Sequence, residues 1–217
     1  ALLSASSDPT VRVVLLGAEG DAFTAGNDLA DFAAVAAGRG ESRAHGFIEA
    51  IAAFEKPIVA AVPGLAVGVG ATMQLHCDLV FVSETARLTT PFVGLGLTPE
   101  AASSVLLPAR IGHARAFAMF ALGEGLTGRE AAELGLANAV LPAADVLPAA
   151  REAARRLTRQ PLGAVIATKR LMREGLHVMA RIQEEGAIFR DRLKSAEAVE
   201  AFTAFAQKRA PDFSRFP

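Results

Sequence analysis

The sequence contains a single cysteine, Cys77, so no disulfide can form within the chain. That scarcity fits a reducing compartment. The chain also has no surplus of charge, because 22 Lys and Arg stand against 23 Asp and Glu and leave a formal net charge of -1. Nucleic-acid-binding proteins normally carry a basic surplus or basic runs, so the composition argues against such a partner.

No apolar run is long enough to span a membrane. The longest covers residues 57–70 and is interrupted by Pro63, Gly64 and Gly68, whereas a spanning helix needs about 20 apolar residues. The opening ALLSASSDPT lacks the basic start of a signal peptide, and the closing DFSRFP carries no peroxisomal tripeptide. We therefore expect a cytoplasmic protein without a membrane partner.

The 217 residues are 52% apolar, which is enough for one sizeable domain with a large core. Three valine-rich runs, at residues 11–16, 57–62 and 78–83, are typical of buried strands. Helical patterns separate them, so the sequence predicts an α/β fold with right-handed crossovers and a largely parallel sheet. Residues 19–28 and 64–70, rich in glycine, indicate loops.

The second half of the chain is mostly helical. Thr127 and Glu130 have the spacing of a capping box, and Gly135 would end the helix that follows. Asp145 and Pro161 can each open a further helix. The pattern predicts a strand at residues 138–141 and two final helices at 177–193 and 195–209. We expect a core over residues 1–140 and a helical region over 141–217.

Three segments that follow predicted strands carry the candidate chemistry. They are AFTAGNDL (residues 22–29), PGLAVGVGATM (63–73) and TTPFVGLGLTPEAASS (89–104). The first two offer backbone N–H groups, because glycines at positions 26, 68 and 70 let a ligand approach the main chain. The second also opens a helix, whose first amides lack acceptors. Two converging amides suit a carbonyl oxygen that becomes an enolate.

The third segment supplies one carboxylate, Glu100, among apolar neighbours. As a base it would need to face a substrate. Thr98, Pro99 and Glu100 also fit the N-cap and first two positions of a helix, where the dipole favours a carboxylate and would lower its pKa. The residues alone leave both interpretations open.

The three segments together resemble the crotonase (enoyl-CoA hydratase/isomerase) family. The resemblance continues through GEGLTGREAAELGLANAVLP (123–142) and FTAFAQKRAPDF (202–213) and covers nearly the whole chain in order. It implies a crotonase-like fold of stacked β-β-α units forming a spiral, followed by a helical trimerisation region. It also implies a homotrimer or a dimer of trimers acting on an acyl-CoA thioester, with coenzyme A as part of the substrate and no separate cofactor.

The resemblance also assigns roles to particular residues. The backbone N–H groups of Asn27 and Val69 fall where the family forms its oxyanion hole. The residues that fall where the family contacts coenzyme A or the acyl group are Ala25, Gly26, Asp28, Leu29, Gly68, Gly70, Phe92, Leu95, Leu97 and Lys208. Asp28 is as compatible with a helix cap, and Lys208 with a solvated helix end.

The family's hydratases add water with two glutamates, whose positions hold Thr72 and Phe92 here. Neither residue is an acid or a base, so the resemblance favours the branch of Δ3,Δ2-enoyl-CoA isomerases. That branch uses a single catalytic carboxylate, and its position corresponds to Glu100 in this sequence. The alternatives are another hydratase, lyase or hydrolase of the same fold and a homologue that binds thioesters without turnover.

Other sites have weaker support. The glycines at 68 and 70 match only part of a dinucleotide-binding motif, and the four histidines and Cys77 lack the spacing of a metal site. Phe189, Phe202 and Phe205 would suit subunit contacts or packing within one subunit. Family members begin with a β-hairpin and a helix, and residues 1–8 resemble only the end of that helix. We therefore expect that the N-terminal part of the pattern lies outside this sequence, leaving a sheet edge exposed.

Overall fold

The fold contains two sheets, each with four strands in the described part of the chain. The computed structural model describes residues 1–28, 31–32, 35, 43–173 and 177–216. In chain order the strands are β1 (Val14–Leu16), β2 (Ala22–Thr24), β3 (Ile58–Val62), β4 (Leu65–Val67), β5 (Leu79–Ser83), β6 (Arg87–Thr89), β7 (Leu126–Thr127) and β8 (Ala139–Leu141).

The helices surround these sheets and dominate the second half of the chain. They are α1 (Leu2–Ser7), α2 (Arg43–Ala52), α3 (Val69–Thr72), α4 (Ser103–Ile111), α5 (His113–Phe117), α6 (Gly128–Glu133), α7 (Ala143–Thr158), α8 (Leu162–Arg173), α9 (Val178–Leu193) and α10 (Ala196–Ala206). Short 3-10 or π turns lie at Met73–His76, Val93–Leu95, Ala118–Leu122 and Phe213–Arg215.

The first sheet has the order β1-β3-β5-β8, and every neighbouring pair is parallel. All five residues of β3 are buried, because a central parallel strand has covers on both faces. The four predicted strands are thus confirmed. The first is shorter than expected, since residues 11–13 precede the pairing with β3.

The second sheet has the order β2-β4-β6-β7, with parallel pairs except for β6 and β7. The prediction of loops at residues 19–28 and 64–70 is wrong where β2 and β4 form. Strands of two or three residues are too short to show an alternating pattern. Strands β4 and β6 each follow a strand of the first sheet, β3 and β5, after a short turn.

The helical predictions for the second half are confirmed. Thr127 and Glu130 form the complete capping box at the start of α6, with side-chain to backbone distances of 3.1 and 2.9 Å. Helices α9 and α10 lie where predicted, although α10 ends at Ala206. Helix α7 packs against the first sheet, where Val146 and Ala150 contact β3. The division at residue 140 stays a prediction.

The three late phenylalanines differ in their surroundings. Phe189 and Phe202 pack on Phe32 of the same chain, with ring centroids 5.6 and 6.5 Å apart. Phe205 is 65% exposed. The first two therefore pack within the subunit, and only Phe205 offers its ring to a partner. None of the described helices is long and apolar enough to cross a membrane.

The contact between α6 and the first sheet gives a test of the fold. A Cβ atom at Gly128 would lie 2.0 Å from the carbonyl oxygen of Ser83, whereas one at Gly163 in α8 would meet nothing within 4 Å. We expect Gly128→Ala to lower the free energy of unfolding by ~1–3 kcal/mol through overpacking. Gly163→Ala, also in a first helical turn, should raise it by up to ~1 kcal/mol. Urea unfolding measures both, and equal effects would contradict the packing described here.

Candidate active site

Two of the three candidate segments lie in direct contact. A Cβ atom at Gly26 would sit 2.8 Å from the carbonyl oxygen of Val67, and one at Gly70 would sit 2.4 Å from the methyl carbon of Thr24. Gly26 also has a φ of +88°, which side chains rarely tolerate. The segment after β2 and the segment after β4 can approach this closely only because both positions lack a side chain.

Asn27 and Val69 each adjoin one of the glycines at this junction. Asn27 follows Gly26, and Val69 lies between Gly68 and Gly70 as the first residue of α3. Neither amide has an acceptor within the part of the chain that the structure describes. Free amides at the start of a helix carry partial positive charge. The arrangement can therefore accept a carbonyl oxygen or an oxyanion.

The third segment extends from this junction toward a cavity. Phe92 lies beside Gly68, with a ring carbon 3.9 Å from the position of a Cβ on that glycine. The Phe92 carbonyl then accepts the amides of Leu95 and Leu97 in a tight turn. Leu97 is buried in the core, and Leu95 is partly buried against it. Their side chains therefore support the segment.

Glu100 lies in the wall of this cavity and does not start a helix. Helix α4 begins at Ser103, and Ala101 and Ala102 adopt left-handed φ values of 61° and 54°. The helix-start interpretation of Thr98, Pro99 and Glu100 is therefore wrong. The hydroxyl of Thr98 caps nothing among the described residues. Sequence reasoning failed because two alanines in the left-handed region leave no mark in a pattern of residue types.

The cavity has a volume of ≈ 630 Å³. Helices α2 and α9 form two of its sides. Its lining is mainly apolar, with a few polar groups, and comprises Phe32, Val35, His45, Gly46, Ile48, Glu49, Glu100, Ala101, Ile182, Gly186, Phe189, Arg190 and Leu193. The amide of Phe32 donates to the carbonyl of Asp28 at 3.2 Å, which links the cavity lining to the first segment. A cavity of this size and character suits an organic ligand.

Burial raises the pKa of Glu100 to about 7, and the negative charge of Glu185 is the second cause. The two effects act in the same direction because each disfavours the ionised carboxylate. The carboxyl group is therefore divided between its acid and base forms near neutral pH. That is the condition under which one group can both take and return a proton.

Glu185, rather than the predicted Thr98, caps the start of the helix that follows Glu100, which is α4. Its carboxylate accepts the amide of Ala102 at 2.6 Å and the amide of Ser104 at 3.0 Å. Glu185 and His76 were both missed as site residues. A signal for Glu185 exists, because it occupies the apolar stripe of α9 with Ile182, Phe189 and Leu193. A charge in such a stripe normally has a buried partner.

Comparison with known proteins identifies the family. The family model described as enoyl-CoA hydratase/isomerase matches residues 1–215. The chain belongs to the enoyl-CoA hydratase/isomerase family. A solved enoyl-CoA hydratase/isomerase from Pseudoalteromonas atlantica superimposes with a TM-score of 0.90 at 42% identity, over 98% of this chain and 86% of that one. The expected crotonase fold is thus confirmed.

Two curated relatives differ in the reaction that their names state. Enoyl-CoA delta isomerase 2 of Rattus norvegicus is 35% identical over 96% of this chain and 55% of its own length. The 2,3-dehydroadipyl-CoA hydratase of Escherichia coli is 32% identical over 98% of this chain and 84% of its own length. This family member therefore spans about half of the rat protein, and the relatives do not separate isomerisation from hydration.

The positions that the resemblance assigns to the paired hydratase glutamates hold no carboxylate. Thr72 is buried in α3, with its hydroxyl unpartnered among the described residues. Phe92 is buried and packs near Phe120, with ring centroids 6.4 Å apart. No group of three or more metal-binding side chains occurs in the described ranges.

The remaining predicted ligand contacts lie near the surface or outside the described residues. Ala25 and Asp28 are exposed beside the junction, and Asp28 precedes the helical turn that contains Phe32. Leu29 lies outside the described residues. Lys208 is exposed after α10, with a left-handed φ of 52°. Its contact with coenzyme A stays a prediction.

The raised pKa of Glu100 predicts a pH-dependent cost to stability. Above its unfolded pKa of about 4.3, the unfolded chain ionises this carboxylate more readily than the folded protein does, so stability is lost as pH rises toward 7. Glu100→Gln removes the titration. We expect the variant to match the parent near pH 4 and to exceed its free energy of unfolding at pH 8 by up to ~3 kcal/mol.

Urea unfolding of both proteins at the two pH values measures this difference. Glu124→Gln, which changes an exposed glutamate, is the matched control and should alter stability by less than ~0.5 kcal/mol at either pH. A Glu100→Gln effect that is the same at pH 4 and pH 8 would contradict a buried, proton-retaining carboxyl.

Proposed function

We propose that this protein isomerises a 3-enoyl-CoA to a 2-enoyl-CoA, with Glu100 as the only acid–base group. The observation that carries the proposal is the position of Glu100, a carboxyl whose pKa is raised to about 7 in the wall of an apolar cavity. The absence of a carboxylate at Thr72 and Phe92 supports one base rather than two. The 35% identity to a named delta isomerase agrees with it.

The proposed reaction moves one proton and no other atom. The Glu100 carboxylate removes a proton from C2 of the 3-enoyl thioester, and the C–H electrons pass into a dienolate. The amides of Asn27 and Val69 stabilise the negative oxygen; loss of one such donor typically costs ~3–4 kcal/mol of barrier. The neutral Glu100 then returns the proton at C4, and the double bond forms between C2 and C3.

Hydration is the second candidate, because the Escherichia coli relative named as a hydratase aligns over most of its own length. Adding water to a 2-enoyl thioester needs a group that activates the water as well as a proton donor. Within the described cavity lining, Glu49 is the other carboxylate, and it pairs with His45 at 3.5 Å. A product analysis with both substrates therefore separates the candidates.

We propose that the protein works in the cytoplasm as a homotrimer or a dimer of trimers. Large apolar side chains stand exposed on the late helices, among them Leu171, Met172, Val199 and Phe205. Exposed apolar groups of this kind are typical of subunit interfaces. Lys208 would contact coenzyme A from the end of α10.

The decisive experiment compares the parent enzyme with Glu100→Gln on 3-hexenoyl-CoA. Conversion is followed by the ultraviolet absorbance of the conjugated 2-enoyl product. We expect kcat to fall by ~10²–10⁴-fold, since the amide cannot accept the C2 proton. Binding of a saturated acyl-CoA, measured by calorimetry, should change little because the two main-chain amides remain.

The exposed Glu184→Gln variant serves as the control and should keep parental turnover. Undiminished isomerisation by Glu100→Gln would overturn the assignment of the base. Efficient conversion of 2-hexenoyl-CoA to the 3-hydroxy product, with no isomerisation, would replace the proposal with hydration.

The pH dependence of the parent enzyme gives a separate prediction. Because Glu100 must be ionised to remove the C2 proton, kcat/KM should fall as pH drops through about 7, the raised pKa of this carboxyl. The slope of the acid limb in a logarithmic plot should be one, as for a single group. A rate that is flat down to pH 5 would show that a different group accepts the proton.

A further inference from the structure

The turn that contains Glu100 has an unfavourable backbone conformation, which is stabilised by contacts from other parts of the chain. Ala101 and Ala102 both adopt left-handed φ values, 61° and 54°. Residues other than glycine rarely enter this region, because the Cβ atom makes it unfavourable. The turn therefore persists only because its surroundings fix it.

Glu185 fixes one side of the turn. Its two carboxylate oxygens accept separate amides, from Ala102 at 2.6 Å and from Ser104 at 3.0 Å. A carboxyl that accepts with both oxygens is best described as ionised, because a protonated oxygen is a poor acceptor. The side chain is 6% exposed. A buried charge with two main-chain donors is costly to replace.

His76 fixes the other side. Its Nε2 lies 2.8 Å from the carbonyl oxygen of Ala101. Burial lowers the pKa of His76 to about 4, so the ring is neutral at pH 7. Since a carbonyl oxygen only accepts, Nε2 carries the proton and donates. The peptide group between Ala101 and Ala102 is thereby held at both ends, by His76 at its carbonyl and by Glu185 at its amide.

We propose that Glu185 is the positioning residue of the active site, holding the 100–104 turn so that the Glu100 carboxyl faces the cavity and placing a second negative charge beside it. The proposal rests on the proposed role of Glu100 as the base. The positional part of the proposal follows from the two amides that Glu185 accepts, those of Ala102 and Ser104, which lie two and four residues after Glu100. Displacing a catalytic group by about 1 Å can cost ~10²-fold in rate.

The charge of Glu185 has a separate consequence. Besides Glu100, the charged or titratable side chains of the described cavity lining are His45 and Glu49 on α2 and Arg190 on α9. The positive charge of Arg181 acts to lower the pKa of Glu185. The charge that raises the pKa of Glu100, after burial, is that of Glu185. Removing it should lower the pKa of Glu100 and move the acid limb of the rate profile to lower pH.

Two substitutions separate position from charge. Glu185→Gln removes the charge and leaves one oxygen for two amides. We expect kcat for 3-hexenoyl-CoA to fall ~10–100-fold through misplacement of Glu100, with KM nearly unchanged and the acid limb shifted to lower pH. Glu185→Asp keeps the charge but is too short to reach both amides. It should lose kcat to a similar extent while the acid limb moves much less.

Glu184→Gln is the matched control, because Glu184 is the adjacent residue of α9, is exposed and pairs with Arg181 at 3.0 Å. It should change neither kcat nor the acid limb. Circular dichroism and thermal melting show whether each variant is folded. If Glu185→Gln does not fold, Glu185→Asp decides the positional part, since a parental kcat in that variant would reject it.

Glu100→Gln, measured beside these variants, separates two kinds of failure. If Glu100→Gln keeps full turnover, the proposed function itself is wrong. If Glu100→Gln is inactive but Glu185→Gln retains parental kcat and an unmoved acid limb, Glu185 only caps α4 and the proposal for Glu185 is overturned. A lowered Tm with unchanged kcat and acid limb would lead to the same conclusion.

Discussion

The site depends on two chain segments lying closer together than side chains would permit. The carbonyl oxygen of Val67 and the side chain of Thr24 occupy the space that Cβ atoms at Gly26 and Gly70 would need. Each segment is anchored by a short strand of the second sheet, so neither is free to withdraw. The close approach supports the proposed oxyanion site, because Asn27 and Val69 adjoin the two glycines and neither amide has an acceptor among the described residues.

Two glutamates at the 100–104 turn differ in their partners. Burial raises the pKa of Glu185, and the two main-chain amides that it accepts oppose this effect by favouring the ionised form. Glu100 has no such donors among the causes that set its pKa, so burial and the neighbouring charge raise that pKa to about 7. In our proposal the charge of Glu185 therefore adds to burial in raising the pKa of Glu100.

The sequence predicts the parts of this molecule that rest on long patterns. The buried strands β3 and β5, helices α7 to α10 and the capping box at Thr127 lie within a few residues of expectation. The second sheet was not predicted, because its strands have only two or three residues. The turn at Ala101 was not predicted for a different reason. Its conformation is stabilised by Glu185, which lies more than 80 residues away in sequence. Local propensity carries no information about such a contact.

A pKa near neutrality fits a single group that acts twice. The carboxylate must first be basic enough to remove a proton from carbon, and the acid it becomes must then give that proton up at a carbon two bonds along. A carboxyl with an ordinary pKa of about 4 would be a weak base at pH 7. Hydration instead requires two acid–base groups of different pKa around one water molecule. Thr72 and Phe92 stand at the positions that the resemblance assigns to the hydratase pair. The proposed isomerisation needs only the two proposed oxyanion amides and one carboxyl of raised pKa.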